Sequence, residues 1–147
     1  MEEIGYIYKI SFINSNDIYI GKTINYDINN RLKQHLYDKN SSVYIYVKKN
    51  NYDIKNIKIE ILDKINMKDD ITNLLNHSYN IKNNIFCKYH IIESNIIKSL
   101  SIMKLGYLER YYIYNYYNDD RYNLINKIIY KNEKINEIYL FLKNKNL

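Results

Sequence analysis

Five side chains of types that act on phosphate esters stand at suggestive spacings in this sequence. Tyr8 and Tyr19 lie in two short apolar segments, and Arg31 and His35 are four residues apart in a third, so that a helix would present both on one face. Arginine can bind a phosphate and stabilise the charge that develops on it. A phenol or an imidazole can take a proton from water, and a carboxylate such as Glu109 can hold a hard cation. If these side chains converge, they have the parts of a phosphodiester hydrolase.

Each of these residues also has an ordinary structural interpretation. The chain has 19 tyrosines, and most must be packing residues with a polar end. An exposed arginine or histidine on a helix is usually just solvated. Glu109 borders an apolar helical stripe, where a salt bridge to Arg110, Lys104 or Arg31 is the plainer alternative to a metal ion. Spacing alone leaves these alternatives open.

The amino-acid composition limits the kinds of function that this chain is expected to have. The 147 residues predict one domain, and the net charge of +6 with a pI near 9.1 favours an anionic partner, nucleic acid first. The abundance of Ile, Asn, Lys and Tyr matches AT-rich codons, which weakens the argument from charge. A single cysteine, Cys87, excludes an internal disulfide and a Cys-rich zinc site. We find no signal peptide and no apolar run long enough for a bilayer, and so expect an intracellular protein with no membrane association.

The elements that must position these residues begin with a hairpin. Residues 6–12 and 17–20 are rich in β-branched and aromatic side chains, and the link 14–17 (Asn-Ser-Asn-Asp) suits a tight turn. The chain has three glycines and no proline, so Gly5 and Gly21 at this hairpin predict a turn or a close backbone approach. A third strand over 57–63 alternates apolar and polar residues.

Helical patterns account for most of the remainder. We predict helices over 27–39, over 42–50 after a capping serine, and over 104–117. Segments 69–77 and 91–105 could each be helical, and a last amphipathic helix falls at about 130–145. The residues expected to face the core are Ile28, Leu32 and Leu36 in the first helix and Leu105, Leu108, Tyr112 and Tyr116 in the third.

Several segments together resemble the GIY-YIG nucleases. The hairpin carries Gly5-Tyr6-Ile7-Tyr8 and Tyr19-Ile20-Gly21, and the distance between Tyr8 and Tyr19 makes Tyr8, rather than Tyr6, the match to the first signature tyrosine. The similarity continues in order through Gly21-Lys22-Thr23, the R-x-x-x-H pattern at Arg31 to His35, strand 57–62, Leu108-Glu109-Arg110-Tyr111-Tyr112-Ile113, and Tyr122-Asn123-Leu124.

The resemblance implies a role for each matching residue. Tyr8 is the general base or orients the attacking water, Tyr19 holds that water or the scissile phosphate, and His35 assists deprotonation of Tyr8. Arg31 binds the scissile phosphate. The further roles implied are a single Mg²⁺ or Mn²⁺ on Glu109, a stabilising cation at Lys22, and a bracing amide at Asn123.

We therefore expect an α/β (α+β) fold with a small three-stranded, mostly antiparallel sheet flanked by helices, as in GIY-YIG nucleases. The single domain 1–147 has its core in 4–65 and 104–126, with an insertion at 66–103 that either contacts DNA or packs on the sheet. The expected function is metal-dependent DNA endonuclease activity, in homing, repair, recombination or a viral role, with a possible protein partner supplying specificity. The alternative is a non-catalytic module that binds nucleic acid or protein on the same scaffold.

Overall fold

The structure is a computed structural model that describes residues 4–24, 27–66, 90–129 and 137; of residues 90–100 it describes the backbone alone. These residues form an α+β fold in which helices cover both faces of one sheet. None of the described helices is long and apolar enough to cross a membrane.

The sheet is built around the predicted hairpin. Strand β1 (Ile4–Phe12) pairs antiparallel with β2 (Asp17–Thr23) on one side and with β3 (Ile57–Asn66) on the other. The turn between β1 and β2 includes Asn14 at φ 57°, a left-handed conformation that asparagine tolerates.

The sheet has four strands instead of the predicted three, in the order β3-β1-β2-β4. The additional strand β4 (Asn123–Leu124) pairs parallel with β2 and makes the sheet mixed. Two residues are too short for any periodic pattern, so only the approach of this segment to β2 in the folded chain defines the strand.

The alternation of side chains along β1 and β2 separates two cores. Ile7, Ile18 and Ile20 point to one face, where they pack with Leu105 and Leu108. The opposite face carries Tyr8, Ile10 and Phe12, which pack with Val43 and Val47. Apolar residues at nearly every strand position predict a sheet covered on both faces, and the two cores confirm it.

Helix α1 (Ile28–Tyr37) and helix α2 (Ser42–Asn50) cover the second of these faces. Asp27 caps α1 by accepting from the backbone N–H groups of Asn29 and Asn30, and Ser41 caps α2 by accepting from that of Val43. Both helices match the predicted segments, because each has a polar cap and a short apolar stripe. A 3₁₀ turn (Ile54–Asn56) leads into β3.

Helix α3 (His90–Tyr117) covers the other face and corrects the prediction of two separate helices over 91–105 and 104–117. It is continuous over 28 residues, and Gly106 does not interrupt it. A lone glycine lowers helix propensity without removing a hydrogen bond, so it does not end a helix as proline does. The predicted helix at 69–77 lies outside the described residues, as does the predicted helix at 130–145 apart from Glu137.

Candidate active site

Tyr8 is the centre of the candidate site. Its ring is fully buried, and its phenol oxygen lies 2.7 Å from Nε2 of His35 and accepts a hydrogen bond of 3.1 Å from Nε of Arg31. Tyr8 stands opposite Gly21 in the hairpin register. A Cβ atom on Gly21 would lie only 2.4 Å from that phenol oxygen. The predicted close approach at Gly21 is therefore made by the Tyr8 side chain.

Helix α1 presents Arg31 and His35 on one face, as their spacing predicts, and both side chains reach this phenol. His35 is buried at 6% exposure, and its Nδ1 lies 2.7 Å from Oγ of Ser41, at the start of α2. The ring of Tyr19 covers the pair, with its centroid 4.9 Å from that of His35 and 6.4 Å from that of Tyr8. Four of the predicted site residues therefore form one connected cluster.

Glu109 and Lys22 form a second group beside this cluster. Nζ of Lys22 on β2 donates to Oε2 of Glu109 on α3 at 2.5 Å. A salt bridge was one of the alternatives predicted for Glu109, but its partner is Lys22 rather than Arg110, Lys104 or Arg31. Since Lys22 binds Glu109, the cation that contacts the Tyr8 phenol is Arg31 instead.

Both groups face one open cleft of about 440 Å³ at the β2–β4 side of the sheet. Its walls come from α1, the α1–α2 link, α3 and the segment that follows β4. Among the described residues that line it, three carry a positive charge (Lys22, Arg31 and Lys127) and two carry a carboxylate (Asp38 and Glu109). Tyr8 is not on this lining, since it lies beneath Arg31, His35 and Tyr19.

Asn123 was expected to brace the site, but the structure places it outside the cleft. Its amide donates to Asp17 at 2.7 Å at the exposed end of the sheet, and it does not line the cleft. The amide that braces the site belongs to Asn126, which accepts from the backbone N–H of Ile20 and donates to the carbonyl of the same residue. The Tyr-Asn pattern at 122–123 lies in the correct segment, but the asparagine that contacts β2 at Ile20 is Asn126, three positions later.

Lys127 and Ser41 are two further residues that sequence reasoning did not assign to the site. Nζ of Lys127 donates to the backbone carbonyl of Asn40 across the cleft, and Ser41 supports His35. Ser41 had a sequence signal as a helix cap, but nothing in the sequence connects a cap with an imidazole six positions earlier. Lys127 carries no motif at all.

Burial sets the protonation of the cluster. Burial, and then the neighbouring Tyr19, raise the pKa of Tyr8 above its ordinary value, although Arg31 acts in the opposite direction. Burial, and then the Arg31 guanidinium, lower the pKa of His35 to about 4. Burial, and then Glu109, raise the pKa of Tyr19. At neutral pH the cluster therefore consists of two neutral phenols, a neutral imidazole and a charged guanidinium.

A divalent cation at this site would depend on the metal-ligating side chains around it. The described residues contain no group of three or more His, Cys, Asp or Glu side chains that could hold a metal ion. Mg²⁺ is commonly bound by one or two carboxylates, with water and substrate phosphates completing its shell. Glu109, one of the two carboxylates on the cleft, fits that mode of binding once a cation displaces the Lys22 ammonium from it.

Comparisons of the chain with protein-family models, with curated proteins and with solved structures found no match.

Proposed function

We propose that this chain is a metal-dependent DNA endonuclease of the GIY-YIG type that hydrolyses phosphodiester bonds at the cleft. The observation that carries the proposal is the buried Tyr8 phenol, bonded at once to the Nε2 atom of His35 and to the Nε atom of Arg31. Glu109 on the same cleft adds the carboxylate that such chemistry needs. Burying polar groups carries a desolvation cost that apolar side chains do not have, which favours a functional reason for this buried cluster.

Arg31 has two tasks in this mechanism. Its guanidinium can fork onto a phosphate oxygen pair and stabilise the negative charge that grows there during attack. In the resting structure its Nε–H is bonded to the Tyr8 oxygen. When Arg31 turns to a phosphate, that N–H leaves Tyr8, and the phenol oxygen becomes open to a water in the cleft. Substrate binding thus exposes the proton acceptor.

Proton transfer then follows the existing hydrogen bonds. The attacking water gives a proton to the Tyr8 oxygen while the Tyr8 proton moves to Nε2 of His35, so no free phenolate is formed. The water oxygen bonds to phosphorus, the bond from phosphorus to the leaving oxygen breaks, and that oxygen takes a proton from solvent. The negative phosphate raises the proton affinity of His35 at this moment, since opposite charge favours the imidazolium.

Glu109 is the residue that would hold the divalent cation. A bound Mg²⁺ or Mn²⁺ supplies a Lewis acid that stabilises the charge on the leaving oxygen. Lys22 neutralises Glu109 in the resting chain, and its ammonium can turn to a phosphate when the carboxylate is engaged. Tyr19, at the mouth of the buried cluster, is placed to orient the water or the phosphate.

A plasmid-cleavage assay with Mg²⁺ or Mn²⁺ tests the proposal. We expect Arg31→Ala and Glu109→Ala to lower the rate by about 10²–10³-fold, the usual loss when a charge-stabilising group is removed. Arg121→Ala and Glu60→Ala are matched controls, because these residues pair with Asp119 and with Lys9 away from the cleft. Supercoiled, linear and branched DNA all need to be included. If the wild-type protein cleaves none of them faster than both cleft variants, the enzyme proposal fails.

The second candidate is a module that binds nucleic acid without cutting it. The complete burial of Tyr8 favours this alternative, because water has no access to the phenol until Arg31 moves. Its affinity would be electrostatic and would fall steeply with salt. Salt-dependent binding of DNA by wild type, lost in Arg31→Ala and accompanied by no cleavage with either metal, would select this candidate.

A further inference from the structure

We propose that the Ser41 hydroxyl is a positioning group that holds His35 in the tautomer protonated at Nδ1, and so keeps Nε2 as the proton acceptor for Tyr8. Its catalytic consequence rests on the proposed function. The tautomer itself is a property of the resting protein and can be measured without substrate.

The two ring nitrogens of His35 have one partner each. Nδ1 lies 2.7 Å from Oγ of Ser41, and Nε2 lies 2.7 Å from the phenol oxygen of Tyr8. A neutral imidazole donates through one nitrogen and accepts through the other. The direction of one hydrogen bond therefore determines the direction of the second.

The Tyr8 end shows which direction the two hydrogen bonds take in the resting protein. Ser41 stabilises that direction, because without its oxygen a buried Nδ1–H would lose its acceptor. The Tyr8 oxygen accepts the Nε–H of Arg31, and the ring is fully buried, so the hydroxyl hydrogen needs an acceptor within the protein. In the described part of the chain the phenol oxygen has two hydrogen-bond partners, Arg31 and His35, and the guanidinium cannot accept. The Tyr8 hydroxyl must therefore donate to Nε2, which leaves the imidazole proton on Nδ1.

The Ser41 end is compatible with this arrangement. As the cap of α2, Oγ of Ser41 accepts the backbone N–H of Val43 at 3.3 Å. A hydroxyl oxygen has two lone pairs, so it can accept the Nδ1–H of His35 at the same time. Its own hydrogen is then directed elsewhere, and the residue lies on the lining of the cleft. The cap geometry that begins α2 thus also places an acceptor on the imidazole.

This placement has a chemical consequence for the relay. When Nε2 takes the Tyr8 proton, the imidazolium retains Nδ1–H, and that group remains bonded to the Ser41 oxygen. Loss of this bond would let His35 adopt the tautomer protonated at Nε2, in which the nitrogen facing Tyr8 has no lone pair to receive a proton. For metal-bound histidines, removal of the partner that orients the other ring nitrogen typically costs about 10–100-fold in activity, and we expect a loss at the lower end of that range here.

Nitrogen NMR of the protein labelled with ¹⁵N-histidine tests the assignment at neutral pH. The chain has three histidines, so His35→Gln identifies the His35 signals. We expect a pyrrole-type Nδ1 and a pyridine-type Nε2 in wild type and in Ser41→Thr, which keeps the hydroxyl. Ser41→Gly should give mixed tautomers and cleave about 10-fold more slowly. Glycine is itself an acceptable helix cap, so this variant separates the loss of the hydroxyl from the loss of the helix start.

The outcomes distinguish the two proposals. A wild-type His35 protonated at Nε2, or a Ser41→Gly protein with an unchanged tautomer, overturns the role of Ser41 whatever the protein does to DNA. If wild-type His35 has the Nδ1–H tautomer but the protein cleaves no DNA, the nuclease proposal is refuted and the assignment of Ser41 remains in place.

Discussion

The two faces of the central sheet differ in what they bury. On the α3 face, Ile7, Ile18 and Ile20 pack against leucines, and the strand cations Lys9 and Lys22 are paired with Glu60 and Glu109. On the α1–α2 face, two polar side chains are buried among the apolar ones and joined to Tyr8, as Tyr8-His35-Ser41. A satisfied hydrogen bond contributes about 0.5–1.5 kcal/mol net, whereas full burial of a large apolar side chain contributes about 1.5–3 kcal/mol, so we expect the polar face to stabilise the fold less per residue than the apolar face does.

The contrast separates two tasks within one small domain. Neighbouring residues of β1 serve different ends because a strand sends alternate side chains to opposite faces. We therefore expect substitutions in the apolar core under α3 to change the free energy of unfolding, and substitutions of residues in the Tyr8 cluster or on the cleft to change cleavage. Adjacent residues provide matched pairs for testing this separation.

The largest effect is expected from Tyr8→Phe, compared with Ile7→Val beside it. Loss of the phenol oxygen breaks the relay and should lower the cleavage rate by about 10²–10⁴-fold, the usual contribution of a proton-transfer group. Ile7→Val should cost about 0.5–1.5 kcal/mol of unfolding free energy and leave cleavage at 25 °C unchanged. Single-turnover plasmid cleavage and urea denaturation measure the two quantities. A Tyr8→Phe protein that cleaves at the wild-type rate would rule out the relay.

A second matched pair lies on α3, where Leu108 faces the apolar core and Glu109 faces the cleft. Leu108→Ala should cost about 2–5 kcal/mol of unfolding free energy, because it leaves a cavity in a packed core. Glu109→Ala removes a part-buried ion pair and should cost only about 1 kcal/mol, while cleavage is lost. Urea midpoints compare the stabilities. The separation of the faces is wrong if Glu109→Ala destabilises the protein as much as Leu108→Ala does.

Two glycines allow a comparison at the level of single methyl groups. A methyl on Gly21 would meet the Tyr8 oxygen at 2.4 Å, so Gly21→Ala should cost about 1–3 kcal/mol and displace Tyr8 from His35. The nearest atom to a methyl on Gly106 is Nζ of Lys22 at 3.9 Å, which is ordinary contact. Gly106→Ala should therefore stabilise α3 by about 1 kcal/mol. Urea denaturation of both variants checks the signs, and a Gly21→Ala protein as stable as wild type would contradict the close packing at Gly21.

The smallest effect concerns pH. The pKa of His35 is about 4 in the folded chain, below the ordinary value of 6.5, because burial and Arg31 disfavour the imidazolium. The unfolded chain binds more protons between these values, so stability is complete above pH 6.5 and is lost as the pH falls toward 4. We expect a loss of about 1–2 kcal/mol from pH 7 to pH 5.

Denaturation of wild type and His35→Gln at the two pH values isolates this contribution. The variant retains the carboxylates that also titrate at low pH, so the difference between the two pH dependences belongs to His35. Equal losses in the two proteins would show that burial of His35 does not oppose its protonation.

Much of the fold was predictable from local patterns. Caps at Asp27 and Ser41, the apolar stripe at Ile28, Leu32 and Leu36, and the hairpin with its polar turn all depend on residues close in sequence. The fourth strand and the continuity of α3 were not predictable in this way. The first depends on a contact between distant segments, and the second on a helix that continues across residues 104–105, where two separate helices were predicted to meet.

The candidate site likewise has features that local sequence patterns predicted and features that depend on contacts between distant segments. Local patterns predicted which residues share one face of an element: the helical repeat places Arg31 beside His35, and the hairpin places Tyr8 opposite Gly21. The packing of elements on one another decided the contacts: α1 on β1 brings Arg31 and His35 to Tyr8, Lys22 pairs with Glu109, Asn126 rather than Asn123 binds β2 at Ile20, and Ser41 contacts His35. Periodicity acts over a few residues along one element, whereas these contacts join different elements, and their distances are set by how the elements pack on the sheet.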